Sequence, residues 1–288
     1  MTTRTLGAAA LVAATFVALF FDVGRKLVAD WATDDNYSHG FLVVPVAIFL
    51  AWERREALAA AARRPSVLGL VVVLGSLAVL AAGTLGAELF LTRIAIVGVL
   101  VGVVLFALGW HHLRLLAFPL AFLLLMIPLP AILFNQIALP LQLLASQVGE
   151  EGLRAFGVPV LREGNVMVLA STTLEVAEAC SGIRSLISLL TLGIVYGYFM
   201  DSRSWVRWVL ALSTVPIAVV TNGLRVAGTG IAAHHYGPEA AEGFLHTFSG
   251  WLVFVSALAL LFVLREVMAR VSPDPDLAAP LPASRAAS

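Results

Sequence analysis

Long apolar runs separated by short polar stretches set the pattern of this chain. A helix that crosses a membrane needs roughly 20 mainly apolar residues. About eight segments approach that length: Leu6–Val23, Gly40–Trp52, Val67–Ala87, Ile94–Trp110, Leu115–Phe134, Ile183–Met200, Trp205–Thr221 and Thr247–Leu264. The second reaches a full span only if Tyr37–His39 is added. Pro119, Pro128 and Pro130 interrupt or end the fifth. Pro216 kinks the seventh, which neighbouring helices tolerate inside a membrane. Gly69, Gly75, Gly98 and Gly102 suit close helix packing rather than a site.

Composition turns this pattern into a class. Hydrophobic residues make up 60% of the 288 and charged residues 12%, whereas soluble domains carry about a quarter charged residues. The chain therefore reads as an all-α polytopic membrane protein. Met1–Phe21 has one basic residue before its apolar run and no small-x-small cleavage site, so it is expected to be a first spanning helix rather than a removed signal. The 18 basic and 18 acidic residues balance, which points to no nucleic-acid partner. A single cysteine excludes an internal disulfide, a CxxC redox pair and a cysteine-rich metal site.

The placement of Lys and Arg orients the spans. With the N-terminus inside, Arg54, Arg55, Arg63, Arg64, Arg114, Arg203 and Arg207 fall in cytoplasmic loops, and Arg265 and Arg270 flank the last helix on the same side. Both termini are then cytoplasmic. The polar segments Asp30–Gly40, Asn135–Ala179 and Asn222–His246 lie on the outer face. Residues 135–179 are too many for a turn. Ile137–Phe156 repeats apolar positions at helical spacing and suits an interfacial amphipathic helix. Val158–Val176 alternates around Gly164-Asn165, which reads as a β-hairpin. A transmembrane domain over residues 1–270, with a small outer-face cap at about 135–179, is the expected organisation. The Pro/Ala/Ser-rich residues 271–288 are expected to form a disordered cytoplasmic tail.

Three reactive side chains fall on the outer side of this topology: Cys180 at the start of the sixth helix, Arg225 at the end of the seventh, and His246 before the eighth. An ionisable group near the bilayer is a functional candidate by default. A helix N-terminus and a nearby cation favour the thiolate of a cysteine, and Arg184 follows Cys180 by one turn. Imidazole can accept the thiol proton or return it to a leaving amine. A guanidinium can stabilise an oxyanion. Asn222 shares a helix face with Arg225 at i,i+3, and His39 is a candidate for the outer rim. The bland readings are a packed cysteine, an interfacial anchor arginine and a satisfied histidine. His234 and His235 compete with His246 for the role of base. Adjacent residues do not share a helix face, so that pair does not read as joint metal ligands. No metal and no cofactor are expected.

The runs EVAEACSGIRSL, TNGLRVAGTGI and FLHTFSGWLVF, in this order, resemble the exosortase/archaeosortase family. The fit is closest to the bacterial exosortases that sort proteins bearing a Pro-Glu-Pro (PEP-CTERM) C-terminal signal. WATDDNYSHGFLVVP and the segment from IPLPAILFNQ to REGNV extend the likeness over roughly Trp31 to Leu264. The resemblance implies a multi-pass inner-membrane cysteine transpeptidase of sortase-like chemistry on an unrelated fold, with its site facing the periplasm. It assigns the family's catalytic Cys, Arg and His to Cys180, Arg225 and His246; Arg184, Asn222 and His39 are second-tier candidates by their position alone. It implies substrates that are secreted proteins ending in a recognition motif, a transmembrane helix and a basic cluster. These would pass to an envelope or exopolysaccharide-linked acceptor in contact with membrane lipid. A periplasmic accessory domain, fused in some relatives, would here be a separate protein.

The alternative from another class is a transporter of a small molecule or lipid-linked sugar, using Arg225 and His246 as intramembrane binding groups. It would tolerate loss of the thiol and would shorten no protein. An intramembrane serine protease lacks its GxSxG signature, and a thiol oxidoreductase lacks a second cysteine.

Overall fold

The computed structural model describes residues 3–170, 172–176, 183–237 and 244–272, with backbone alone at 3–5 and 244–249. It divides into two compact units, Met1–Ala131 and Ile132–Ser288. Among the described residues, seven helices are long and apolar enough to cross a membrane, and two further apolar helices are shorter. The protein is an all-α polytopic membrane protein carrying one small sheet.

The first unit opens with α1 (Thr3–Thr33), followed by α2 (Gly40–Glu53) and the short α3 (Arg55–Ala60). α4 (Leu68–Leu85) and α5 (Leu89–Ala107) form a closely packed antiparallel hairpin, and α6 (Trp110–Phe122) follows. The apolar stretch expected as one span from Leu115 to Phe134 is broken. After Phe122 the chain tightens into a 3-10 turn over Leu123–Met126, and Ile127 is extended. Proline disfavours helical geometry in the residue before it and removes a donor, so Pro128 and Pro130 end the helix here. The exposed polar groups of this unwound stretch are taken up by the Asp30–Gly40 segment. Trp31 Nε1 donates to the Met126 carbonyl at 2.9 Å, and the Leu129 N–H donates to the Tyr37 hydroxyl at 3.2 Å.

The second unit begins with α7, Ala131–Ala155. It starts six residues ahead of the amphipathic helix read from the sequence, directly after Pro130, and continues through Pro140 to Ala155. A two-residue loop, Gly164-Asn165, then joins β1 (Val160–Glu163) to β2 (Val166–Leu169), with Glu163 opposite Val166. Gly164 has φ +66°, the left-handed conformation this tight loop requires. β3 (Thr173–Glu175) adds to β2, giving a three-stranded antiparallel sheet in the order β1-β2-β3. Buried Glu150 fastens the sheet to α7: it accepts from Arg162 Nε and Arg154 Nη2, each at 2.7 Å.

Three long helices complete the unit: α8 (Ile183–Met200), α9 (Ser204–Tyr236) and α10 (Phe244–Val271). They pack together through their apolar faces, with Tyr196 edge-on to Phe262 at 4.7 Å. One end is laced by polar contacts. Arg265 Nη2 donates to the Met200 carbonyl at 2.6 Å, Arg207 Nε donates to the Asp201 carbonyl at 2.7 Å, and Arg203 bridges Asp201 and Ser272. The Ala/Pro-rich residues 273–288, expected as a disordered tail, lie outside the described residues.

Candidate active site

α9 runs 33 residues, well past Thr221, where the sequence had suggested its end. The polar Thr-Asn-Gly run does not stop it, because each group is satisfied or buried. Thr221 Oγ1 donates back to the Ile217 carbonyl at 2.7 Å, and Asn222 is 1% exposed. Gly223 meets the Val148 side chain of α7, a Cβ at Gly223 falling 2.5 Å from it. Arg225 therefore lies within the helix, roughly 27 Å along the axis from Arg207 at 1.5 Å per residue. That distance is about the thickness of a bilayer's hydrocarbon core. In α10, His246 stands a similar distance from Arg265. α8, at about 27 Å, begins at Ile183 on this same end of the three-helix bundle. Arg184 is in its first turn and exposed.

The closest juxtaposition at this end joins α9 to α10. The half-buried Arg225 guanidinium lies over Gly250: a Cβ built there would be 3.6 Å from Nη2 and 3.7 Å from Cζ. Gly250 follows His246 by four residues, which places both on one helix face. The Arg225 guanidinium is thus seated one helical turn from the His246 position. The backbone at His246 is helical, and its side chain lies outside the described residues. The sequence reading missed Gly250; its signal was the four-residue spacing in HTFSG.

Cys180 also lies outside the described residues, as does the rest of 177–182, but both flanks are fixed. On one side, Val176 is 1% exposed. Its N–H donates to the Asn165 carbonyl at 2.9 Å, and Asn165 Nδ2 donates to its carbonyl at 3.2 Å. Val176 shares a buried cluster with Leu153, Met167, Leu169 and Val226, the residue after Arg225. On the other side, Ile183 is 1% exposed at the head of α8.

The competing histidines sit elsewhere. His234 and His235 are exposed in the last turn of α9, their rings 5.1 Å apart. They lie roughly 14 Å along the axis from Arg225. Among the described residues no group of three or more His, Cys, Asp or Glu side chains forms a metal-binding cluster.

His39 belongs to the first unit. It is 6% exposed, and Nε2 donates to the Leu125 carbonyl at 3.0 Å. Burial holds its pKa below the ordinary histidine value, with backbone hydrogen bonds opposing in part. A neutral imidazole that clasps the unwound 123–130 stretch accounts for this position.

The family model that describes transmembrane exosortases (Exosortase_EpsH) matches residues 31–263. No curated protein matches the chain, and no solved structure does.

Proposed function

Since the chain belongs to the transmembrane exosortase family, we propose that it is a cysteine peptidase or transpeptidase that cleaves C-terminal sorting signals of secreted proteins at the periplasmic face of the inner membrane. Cys180 is the nucleophile, His246 the general acid/base and Arg225 the oxyanion stabiliser. The observation that carries this reading is the Arg225 guanidinium seated on Gly250, one turn from His246. Arg225 also adjoins Val226, whose cluster includes the flank of the Cys180 segment. The axial separation from His234 and His235 favours His246 as base.

The chemistry follows from these groups. His246 takes the thiol proton, and the thiolate attacks the scissile carbonyl carbon. A C–S bond forms and the π pair moves to oxygen, where Arg225 faces the developing charge. When the intermediate collapses, the C–N bond breaks and the imidazolium protonates the departing amine. That amine carries the substrate's transmembrane helix and basic cluster. The thioester then yields to an acceptor nucleophile on the envelope or an exopolysaccharide-linked carrier. Asn222, buried one turn from Arg225, orients that turn of α9, and Arg184 lends positive charge near the thiolate. Membrane lipid surrounds the site.

The test is conversion of a tagged secreted protein bearing a PEP-CTERM-type signal to its shorter form in cells. Cys180→Ala abolishes conversion, and Arg225→Ala lowers its rate by about 10²–10³-fold. Unchanged conversion by Cys180→Ala would sink the nucleophile assignment. Mass spectrometry of the new C-terminus separates hydrolysis, which leaves a free carboxylate, from transfer, which leaves an adduct.

A further inference from the structure

At one end of the first unit a wedge-shaped cavity of about 730 Å³ opens between α1 and the turn of the α4–α5 hairpin. Its walls are apolar, from Leu19 and Val23 of α1 and Leu80 and Leu89 of the hairpin. Arg25 and Lys26 line it as exposed side chains, and Arg93 lines it as a buried one. Arg93 is 3% exposed. It is paired through Nη2 with Asp30, while its Nε is buried with no hydrogen-bond partner. Asp22 also lines the cavity and stands 3.7 Å from Arg25, both largely solvent-exposed, a pairing worth little. Cations therefore outnumber carboxylates around an apolar slot.

The depth of this slot limits what fills it. α4 is 18 residues long, about 27 Å, so its last turn reaches one face of the hydrocarbon core. On α1 and α4 the slot thus has Arg25 and Lys26 nearer headgroup level than Leu19 and Leu80, and Arg93 stands one turn into α5 from Leu89. The outer surface of α1 is apolar too, with Leu11, Val17 and Phe21 each more than half exposed. A leucine-walled space open to the bilayer is filled by hydrocarbon, since water there would leave apolar surface hydrated. The excess cation at its mouth selects a negative headgroup.

We propose that this wedge binds an anionic phospholipid, its phosphate held by Arg25, Lys26 and the free Nε edge of Arg93, and an acyl chain between α1 and α4–α5. Residues 19–26 precede the segment matched by the family model. The α1 side of the site is thus a feature of this chain rather than of the matched region, and it does not depend on the chemistry proposed for Cys180.

Native mass spectrometry of the full chain in detergent tests it, with phosphatidylglycerol or phosphatidylcholine titrated at equal concentration. The wild type retains phosphatidylglycerol with about fivefold or greater preference. The double variant Arg25→Gln/Lys26→Gln loses that preference. Arg63→Gln/Arg64→Gln, which removes two exposed cations at the other end of α4, keeps it. Val23→Trp fills the slot without changing charge and lowers retention of phosphatidylglycerol. Equal retention of the two lipids, an undiminished preference in the first double variant, the same loss in the second, or full retention by Val23→Trp would each overturn the assignment. So would binding of inorganic phosphate, supplied as a separate probe, with no lipid retained.

Discussion

Arg225 is an arginine inside a membrane protein whose position is decided by what the facing helix lacks. Any side chain larger than methyl at Gly250 would occupy the space its guanidinium now fills. A Cβ alone falls at ordinary van der Waals distance, 3.6–3.8 Å from the group. Gly250→Ala is therefore expected to process the tagged substrate within about twofold of wild type. Gly250→Leu should push the guanidinium off its seat and slow processing by about 10²-fold, the loss expected when one oxyanion donor is misplaced. Thermal melting in detergent checks that the bundle survives. Full activity in a folded Gly250→Leu variant would detach Arg225 from the chemistry. At this scale the chain's residue types were informative: a lone cysteine, a membrane arginine and a histidine were visible as candidates. Their neighbours were not, because Gly250 carries no chemistry of its own and matters only through Arg225.

Among the elements, α7 and α9 are the pair whose relation departs most from a simple reading. α7 looked amphipathic, and its face is now accounted for. Ala145, Val148, Gly149, Gly152 and Leu153 meet Gly223, Val226, Ala227 and Gly230 of α9. Small residues on both sides allow the backbones to approach. A Cβ at Gly223 would lie 2.5 Å from Val148, so Gly223→Leu must displace α7 and should destabilise the protein by about 1–3 kcal/mol. Gly228 is on the same helix, yet a Cβ there meets nothing within 4 Å. Gly228→Leu should leave the melting temperature in detergent unchanged while Gly223→Leu lowers it; equal shifts would remove the close crossing. Hydrophobic periodicity located these helices but ended α9 too early. A Thr-Asn-Gly run in an isolated helix is a stop signal, and only burial against α7 makes it a contact surface.

In the second unit, cations gather at one end of the α8–α10 bundle and the contact of α7 with α9 lies toward the other. The Arg203, Arg207 and Arg265 end of the α8–α10 bundle carries its cations together, as the cytoplasmic end of a membrane protein does. The α7 residues that meet α9 do so from Gly223 onward, a bilayer's thickness away, and this stretch of α7 also holds Glu150, Glu151 and Arg154. The outer side is thus expected for the second half of α7 and the sheet. In a Cys180→Ala background, Glu151→Cys should react with a membrane-impermeant maleimide added to spheroplasts, and Arg270→Cys only after permeabilisation. The reverse pattern would invert the topology.

The sequence by itself determined the solvent in which this chain folds, the approximate number of its helices, the Gly164-Asn165 hairpin, and the family. Each of these depends on local pattern: apolar runs of membrane length, a two-residue turn, short motifs in fixed order. The tertiary structure decided where Pro128 and Pro130 divide an apolar run, that α9 continues through Asn222 and Arg225, and that Arg225 rests on the α10 turn that follows His246. These are relations between segments far apart in the chain. They depend on which small residues let two backbones approach, and a one-dimensional pattern does not carry that information.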